Sequence, residues 1–365
     1  PLELQTRRAA GEAPDVSVYV NQHPEHADVV EQSFHDSTFS GISFAETHPL
    51  AEGASSAPAA RRLGNYRLLC KLGQGGMGVV YEAVHAQRGN RVALKMLPMV
   101  DGDSLQRFKR EFRSLADFNH PQLIGLHTLE EAGSQWFITM ELIDGTDFTS
   151  YVRLGRTRDS RGKIINPGVL DTDLLRAALP QLVSGVMALH NYRIIHRDLK
   201  PSNVMVDRQG RVKLLDFGLV AEMAGLSATV SRGGVGTPAY MAPEQATGKR
   251  VTTAADWYGV GAMLYEALSG WPPFQSPKES QNPNLFELLR LKREEDPPSL
   301  LGRPDVPDDL GALCMRLLQR GIEERPTAEE IATAVSAQVA PSRKGAEETS
   351  RLIHRESQLA ALKEA

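Results

Sequence analysis

Cysteine is nearly absent from this chain: 365 residues hold only Cys70 and Cys314. Both lie in stretches that read as core elements, so they are expected to be buried thiols, not a disulfide framework, which suits a reducing cytoplasm. Long apolar runs are missing as well. No stretch approaches the roughly 18 consecutive apolar residues that a membrane-spanning helix needs. There is no basic excess, with 41 Lys and Arg against 45 Asp and Glu. No basic stripe stands out, so nucleic acid is not an expected partner. Zinc spacing is absent too: His23, His26, His35 and His48 cluster early but match no zinc module. The chain opens on Pro1, not methionine, and so reads as a fragment or processed form that leaves a signal peptide open.

What is present divides the chain into three stretches. Residues 1–62 are acidic and low in complexity, ending in the linker-like run Ala54–Ala60. Residues 1–60 carry a local charge of −7, which leaves about +3 for the remainder of a chain of net −4. Phe34, Phe39 and Phe44 are unusual in such a tail and point to docking as an alternative to plain solvation. Residues 63–340 have the periodicities of a folded domain. Residues 341–365 form a further linker or the start of another module.

The chemistry lies in the middle stretch. Within Arg193–Asn203, a carboxylate (Asp198), an ammonium (Lys200) and an amide (Asn203) fall within six residues. Phosphoryl transfer needs such a set: a group to orient the attacking hydroxyl, a cation to offset moving charge, and a hard oxygen ligand for a metal. Asp216-Phe217-Gly218 supplies a second metal-binding carboxylate thirteen residues later. Upstream, Leu72–Val80 carries Gly73, Gly75 and Gly78 between two apolar runs. The β-branched residues that follow make this a hairpin, where a dinucleotide-binding turn would lead into a helix. Val92-Ala93-Leu94-Lys95 then places a lysine on a strand.

Together these motifs resemble the catalytic core of the eukaryotic-like protein kinases, over roughly residues 64–340. The resemblance implies an α+β, two-lobed protein kinase fold: a small, mainly β N-lobe with one helix (63–140), a hinge (141–145) and a larger helical C-lobe (146–340). It implies ATP and Mg²⁺ as cofactors and protein substrates. Asp198 would be the base, Lys200 the cation at the γ-phosphate, and Asn203 and Asp216 the metal ligands. Lys95 would grip the α- and β-phosphates and pair with Glu111, which borders the apolar face (Leu105, Phe108, Phe112, Leu115) of the following helix. Gly73, Gly75, Gly78, Val80, Ala93, Glu141, Ile143, Asp147 and Met205 complete the implied nucleotide site, Asp147 facing the ribose, with Met140 guarding its back.

Lys200, two residues past Asp198, and the run Gly236–Glu244 resemble the serine/threonine branch, in its bacterial form. In that branch Thr237 bonds the catalytic aspartate and lysine, Asp256 braces the catalytic loop, and Glu244 pairs with Arg325. Arg197 receives a phosphate from the activation loop, which makes Thr229, and after it Ser227 or Ser231, the expected autophosphorylation sites. Arg153–Lys163 looks like a basic insertion and is expected to be an exposed loop, or else a contact for an acidic partner such as the N-terminal tail. Arg355–Ala365 resembles the opening helix of an ATPase module fused behind some bacterial kinases; an amphipathic linker helix is the plainer reading. The competing functions are a pseudokinase scaffold or nucleotide-binding signalling module, which the complete set of catalytic groups disfavours, and a small-molecule kinase, which Gly236–Glu244 disfavours.

Overall fold

The computed structural model describes residues 61–75, 78–97, most positions of 106–116, and 118–159, 162–216, 238–246, 251–278 and 282–337. The N-lobe is a six-stranded antiparallel sheet built from β1 (Arg62–Leu63), β2 (Tyr66–Gly75), β3 (Gly78–His85), β4 (Arg91–Met96), β5 (Leu126–Ala132) and β6 (Gln135–Met140). Its strand order is β1-β2-β3-β4-β6-β5. Val92, Leu94 and Phe137 pack one side with Tyr66 and Ala83. Phe108, Phe112 and Leu115, from the helical stretch between β4 and β5, pack the other side with Ala93, Ile138 and Met140. These are three of the four residues of the helical stripe the sequence predicts; Leu105 and Glu111 lie outside the described residues.

Cys70 departs from expectation. It is exposed, whereas Cys314 is fully buried. The pairing of β2 with β3 slips between Leu68 and Cys70. A strand's side chains alternate faces with a period of two, so the extra residue breaks the alternation and leaves Leu69, Cys70 and Leu72 toward solvent.

Past the hinge, β7 (Gly145–Asp147) runs into the short helix α1 (Phe148–Val152). Four short strands follow: β8 (Arg153–Leu154), β9 (Thr157–Arg158), β10 (Ile164–Asn166) and β11 (Val169–Leu170), with β8 paired to β11. Helix α2 (Thr172–Asn191) starts where Asp171 accepts the Asp173 and Leu174 amides, and it buries Leu175, Leu179, Leu182, Val186 and Leu189 at helical spacing. Strands β12 (Val204–Asp207) and β13 (Val212–Leu214) pair with each other, and β12 also pairs with β7, making a small sheet under the hinge. The remaining helices are α3 (Pro243–Ala246), α4 (Ala254–Ser269), α5 (Leu285–Glu294), α6 (Asp308–Leu317) and α7 (Ala328–Ala337).

Helix α4 is buried on every side, from Ala255 to Leu268, as expected of the central element of a helical lobe. A Cβ on Gly261 would come within 2.7 Å of Leu317 Cβ, so glycine is what lets α6 pack this close.

The basic insertion is only partly a solvated loop. Leu154 and Gly155 are exposed, but the Arg153 side chain is buried. Its guanidinium donates to Pro167 O at 2.6 Å, Gly168 O at 2.8 Å and Ala267 O at 2.6 Å. The Arg156 guanidinium is fully buried against Glu266 of α4. Both cations sit near the C-terminal end of α4, where unpaired carbonyls and the helix dipole favour positive charge. On either side of residues 160–161, which lie outside the described residues, Lys163 N donates to Asp159 Oδ1 and Arg158 Nη1 to Gly162 O, each at 2.8 Å. Residues 1–60 and 341–365 lie outside the described residues, so the docking and ATPase-module readings stay expectations.

Candidate active site

The loop carrying Asp198 is held from beneath. Asp256, in the first turn of α4 and 1% exposed, accepts His196 N and Arg197 N, each at 2.8 Å, and stands 2.8 Å from His190 Nε2. Those bonds fix a backbone that departs from ordinary geometry: Arg193 and Arg197 have φ of 62° and 66°. Left-handed conformations at bulky residues persist only where the surroundings impose them, and they cluster at functional sites.

Asp198 sits among the partners its sequence neighbours promise. Lys200 Nζ donates to Asp198 Oδ2 at 2.7 Å, and Asn203 Nδ2 donates to the same oxygen at 3.1 Å and to Asp198 O at 2.8 Å. The turn Pro201–Asn203 places Asn203, and Asn203 O accepts Leu215 N at 2.9 Å, which brings β13 and Asp216 alongside. Asp216 also has a left-handed backbone, with φ of 56°. Its Oδ1 lies 2.8 Å from Lys95 Nζ. Lys95 is only 4% exposed in mid-sheet, paired with Val80 on one side and Ile138 on the other. A lysine so deeply placed requires a partner, and Asp216 is the one described.

The glycine hairpin is the β2–β3 turn, with Gly73 opposite Val80 and Gly75 opposite Gly78. Gly78 has φ of 117°, and a Cβ there would lie 2.0 Å from Met96 O, so only glycine fits. At Gly73 a Cβ would meet nothing within 4 Å, which leaves open space at the backbone. Ala93 pairs with Met140 across β4 and β6.

At the hinge, Glu141 N donates to Gly125 O, while its side chain takes Gly125 N at 3.2 Å and Lys213 Nζ at 3.0 Å. Ile143 N–H and C=O have no partner among the described residues. Asp147 is directly opposite Met205 in the small sheet, and its carboxylate caps α1 through Ser150 N at 3.0 Å and Ser150 Oγ at 2.6 Å. Thr237, Ser227, Thr229, Ser231, Phe217 and Gly218 lie outside the described residues.

Below the site, Glu244 and Arg325 form the expected buried pair, bidentate at 2.6 and 2.9 Å. Gln245 links two parts of the site in a way its sequence position does not announce. Its Oε1 accepts Ala242 N and its Nε2 donates to Arg197 O, each at 2.9 Å, stitching the run before α3 to the Asp198 loop. Lys213 is not announced either; the only cue is alternation, with Val212 and Leu214 buried on either side of it.

A two-lobed domain with a strand lysine, a braced loop carrying an aspartate, and a second carboxylate at the lobe junction defines a phosphotransferase of the kinase type. Residues 66–335 match the family model described as the protein kinase domain, and the chain belongs to that family. Its relatives include bacterial proteins named serine/threonine kinases. A probable serine/threonine-protein kinase PknB of Lactococcus lactis is 31% identical, covering 77% of this chain and 43% of its own length. The DNA damage-responsive serine/threonine-protein kinase RqkA of Deinococcus radiodurans is 37% identical, over 74% and 38%. A protein named tyrosine-protein kinase MasK, of Myxococcus xanthus, is 34% identical, over 79% and 45%. The chain thus spans less than half the length of these relatives. Among the described residues, no helix is long and apolar enough to cross a membrane.

Proposed function

We propose that this chain transfers the γ-phosphoryl group of ATP to serine or threonine hydroxyls of proteins. The observation that carries the reading is Asp198, bonded to Lys200 at 2.7 Å and to Asn203 at 3.1 Å, in one site with the Lys95–Asp216 pair. Asp198 orients the hydroxyl and takes its proton late; a loose transition state asks for positioning more than for basicity. Lys200 offsets charge on the moving phosphoryl group, and Lys95 turns its ammonium to the α- and β-phosphates. The open backbone at Gly73 and the unpartnered Ile143 peptide groups support a nucleotide lying between glycine hairpin and hinge.

Asn203 and Asp216 fit a Mg²⁺ site. The Asn203 amide nitrogen is committed to Asp198, which leaves its carbonyl oxygen as the acceptor, and Lys95 takes only one Asp216 oxygen. Two protein ligands suit a small hard ion that draws the rest from phosphates and water. Held there by Asn203 and Asp216, Mg²⁺ would supply the positive charge that offsets the phosphate charge during transfer. The run through Thr237 to Glu244 serves as the platform for the substrate polypeptide. A cytoplasmic setting completes the proposal; it rests on ATP as donor and on two unpaired thiols.

Activation-loop phosphorylation is also part of it. Arg197 Nε is buried with no hydrogen-bond partner, an arrangement that a loop phosphate with its strong acceptors would complete. The test is to incubate the protein with labelled ATP, Mg²⁺ and a generic basic protein, beside an Asp198→Asn control, and to separate phosphoserine, phosphothreonine and phosphotyrosine. Label on serine or threonine that is lost in the control is expected. Label on tyrosine alone would move the chain to the specificity named for the Myxococcus relative, and no transfer at all would favour a scaffold. Mass spectrometry reads the loop sites; an Ala variant at Ser227, Thr229 and Ser231 that matches pre-incubated wild type would remove the switch.

A further inference from the structure

Lys292 is the least expected side chain in the C-lobe. It lies in the last turns of α5, is 1% exposed, and ranks among the largest fully buried side chains. It forms no ion pair with an acid among the described residues. Its Nζ donates instead to two backbone carbonyls, Ala239 O at 2.7 Å and Met241 O at 2.8 Å, and stands 5.0 Å from the centre of the Tyr258 ring. A methionine of similar length would fill the same space without the desolvation cost of an ammonium. The lysine is therefore explained by its donors.

Those donors go to a stretch that lacks secondary structure of its own. Ala239, Tyr240 and Ala242 are buried, yet they belong to neither helix nor sheet, so their carbonyls have no ladder to join. On the far side the same stretch is tied to the Asp198 loop, through Ala242 N to Gln245 and from Gln245 to Arg197 O. Tyr240 OH is fixed as well, donating to Glu266 Oε2 at 2.6 Å. One strap thus spans from the α5 lysine to the residue next to Asp198.

We infer that Lys292 is a positioning residue for protein phosphorylation: by capping Ala239 O and Met241 O it sets the Pro238–Ala242 strap at a fixed distance from Asp198, and so governs how the substrate polypeptide is presented. This rests on the reading of Thr237–Glu244 as the substrate platform. Lys292 touches none of the groups assigned to ATP. Desolvation pulls its ammonium down to about 7, so the side chain is held by its two carbonyl bonds and not by an ion pair. The other charged groups at that Tyr258 ring, Arg325 and Glu244, are already committed to each other.

Lys292→Met tests the inference, with steady-state kinetics measured separately in ATP and in a protein substrate. KM for the protein substrate is expected to rise by about tenfold or more, roughly the weight of one charge-assisted hydrogen bond, while KM for ATP stays within about twofold. Unchanged KM values for both substrates would overturn the inference, as would equal losses in both. Should the Met variant fail to fold, Lys292→Ala assayed with added propylamine replaces it. Recovery of the protein-substrate KM by the amine, and not by equal propanol, is expected; no recovery by the amine overturns the inference. Wild type that transfers no phosphate to any protein overturns the proposed function instead, so the two failures are distinguishable.

Discussion

Replacing Arg325 with methionine would strand a buried carboxylate. Arg325 and Glu244 have side chains 1% and 4% exposed, and the guanidinium meets the carboxylate with two bonds, at 2.6 and 2.9 Å. It also donates to Gln319 O at 2.8 Å, Ala254 O at 3.0 Å and Arg320 O at 3.3 Å. Removing one partner of such a pair costs about 3–5 kcal/mol, because the other charge stays buried and uncompensated. Domains are stable by only about 5–15 kcal/mol, so the single variant should lose roughly a fifth of its stability or more. Replacing both partners, as Glu244→Leu with Arg325→Met, removes the stranded charge. Like the single variant, it still leaves the three carbonyls short of a donor, a loss of about 1–3 kcal/mol for each one left without water that is common to both. The double variant should therefore lie between the single variant and wild type. Urea unfolding followed by tryptophan fluorescence gives the order, provided the slopes with urea agree. If Arg325→Met unfolds within about 1 kcal/mol of wild type, or the double variant is the least stable of the three, the buried-charge argument is wrong.

Lys95→Ala should lose transfer by orders of magnitude and keep its unfolding transition, since positioning and charge are most of the chemistry; near-native rates would mean another lysine holds the phosphates. Calorimetry should show nucleotide affinity that depends on Mg²⁺, with the dependence lost in Asp216→Ala; equal affinity with and without Mg²⁺ in wild type would remove the metal assignment. Lys292 titrates near 7 when folded against 10.5 in the unfolded chain, so between those values the unfolded chain binds more protons. The stability of wild type relative to Lys292→Met should accordingly climb from pH 7 to pH 10.5, and a flat difference would contradict the depressed value. Cys70 should react with iodoacetamide in the folded protein and Cys314 only after unfolding. The slight desolvation of this exposed thiol and the neighbouring Glu82 carboxylate hold Cys70 above its ordinary range, so its rate should still be climbing at pH 9.0.

The parts of this molecule that are legible in its sequence are those where one residue type is the only solution. Gly78 is such a case, because any side chain would strike Met96 O. So is the run Asp198–Asn203, whose groups act within one loop. Helical periodicity is also legible in α2, where Leu175, Leu179, Leu182, Val186 and Leu189 form the buried stripe. Helix α5 is not legible in this way, because Leu285 and Phe286 are exposed and its stripe is thin. Cys70 was misplaced because a slip in pairing with β3 is decided between strands, not within one. Arg153 and Arg156 look like solvated charge in a list of residues; only the carbonyls and Glu266 at the end of α4 explain their burial. Gln245, Lys213 and Lys292 act through partners 48, 72 and 53 residues away, a range over which no local pattern carries information.

Asp256 and Glu266 stand ten positions apart on α4, about 15 Å along a straight helix. One end grips the backbone beside Asp198; the other grips Tyr240 and the arm that begins at Arg153. An unbroken rod between two grips decouples their evolution. The arm can lengthen, shorten or change charge beyond Thr157, provided Arg153 and Arg156 keep their seats, while the alignment of Asp198 is inherited from the opposite end. Lineages sharing this catalytic core can therefore rewrite the arm at little risk to turnover, and variation among relatives should concentrate there.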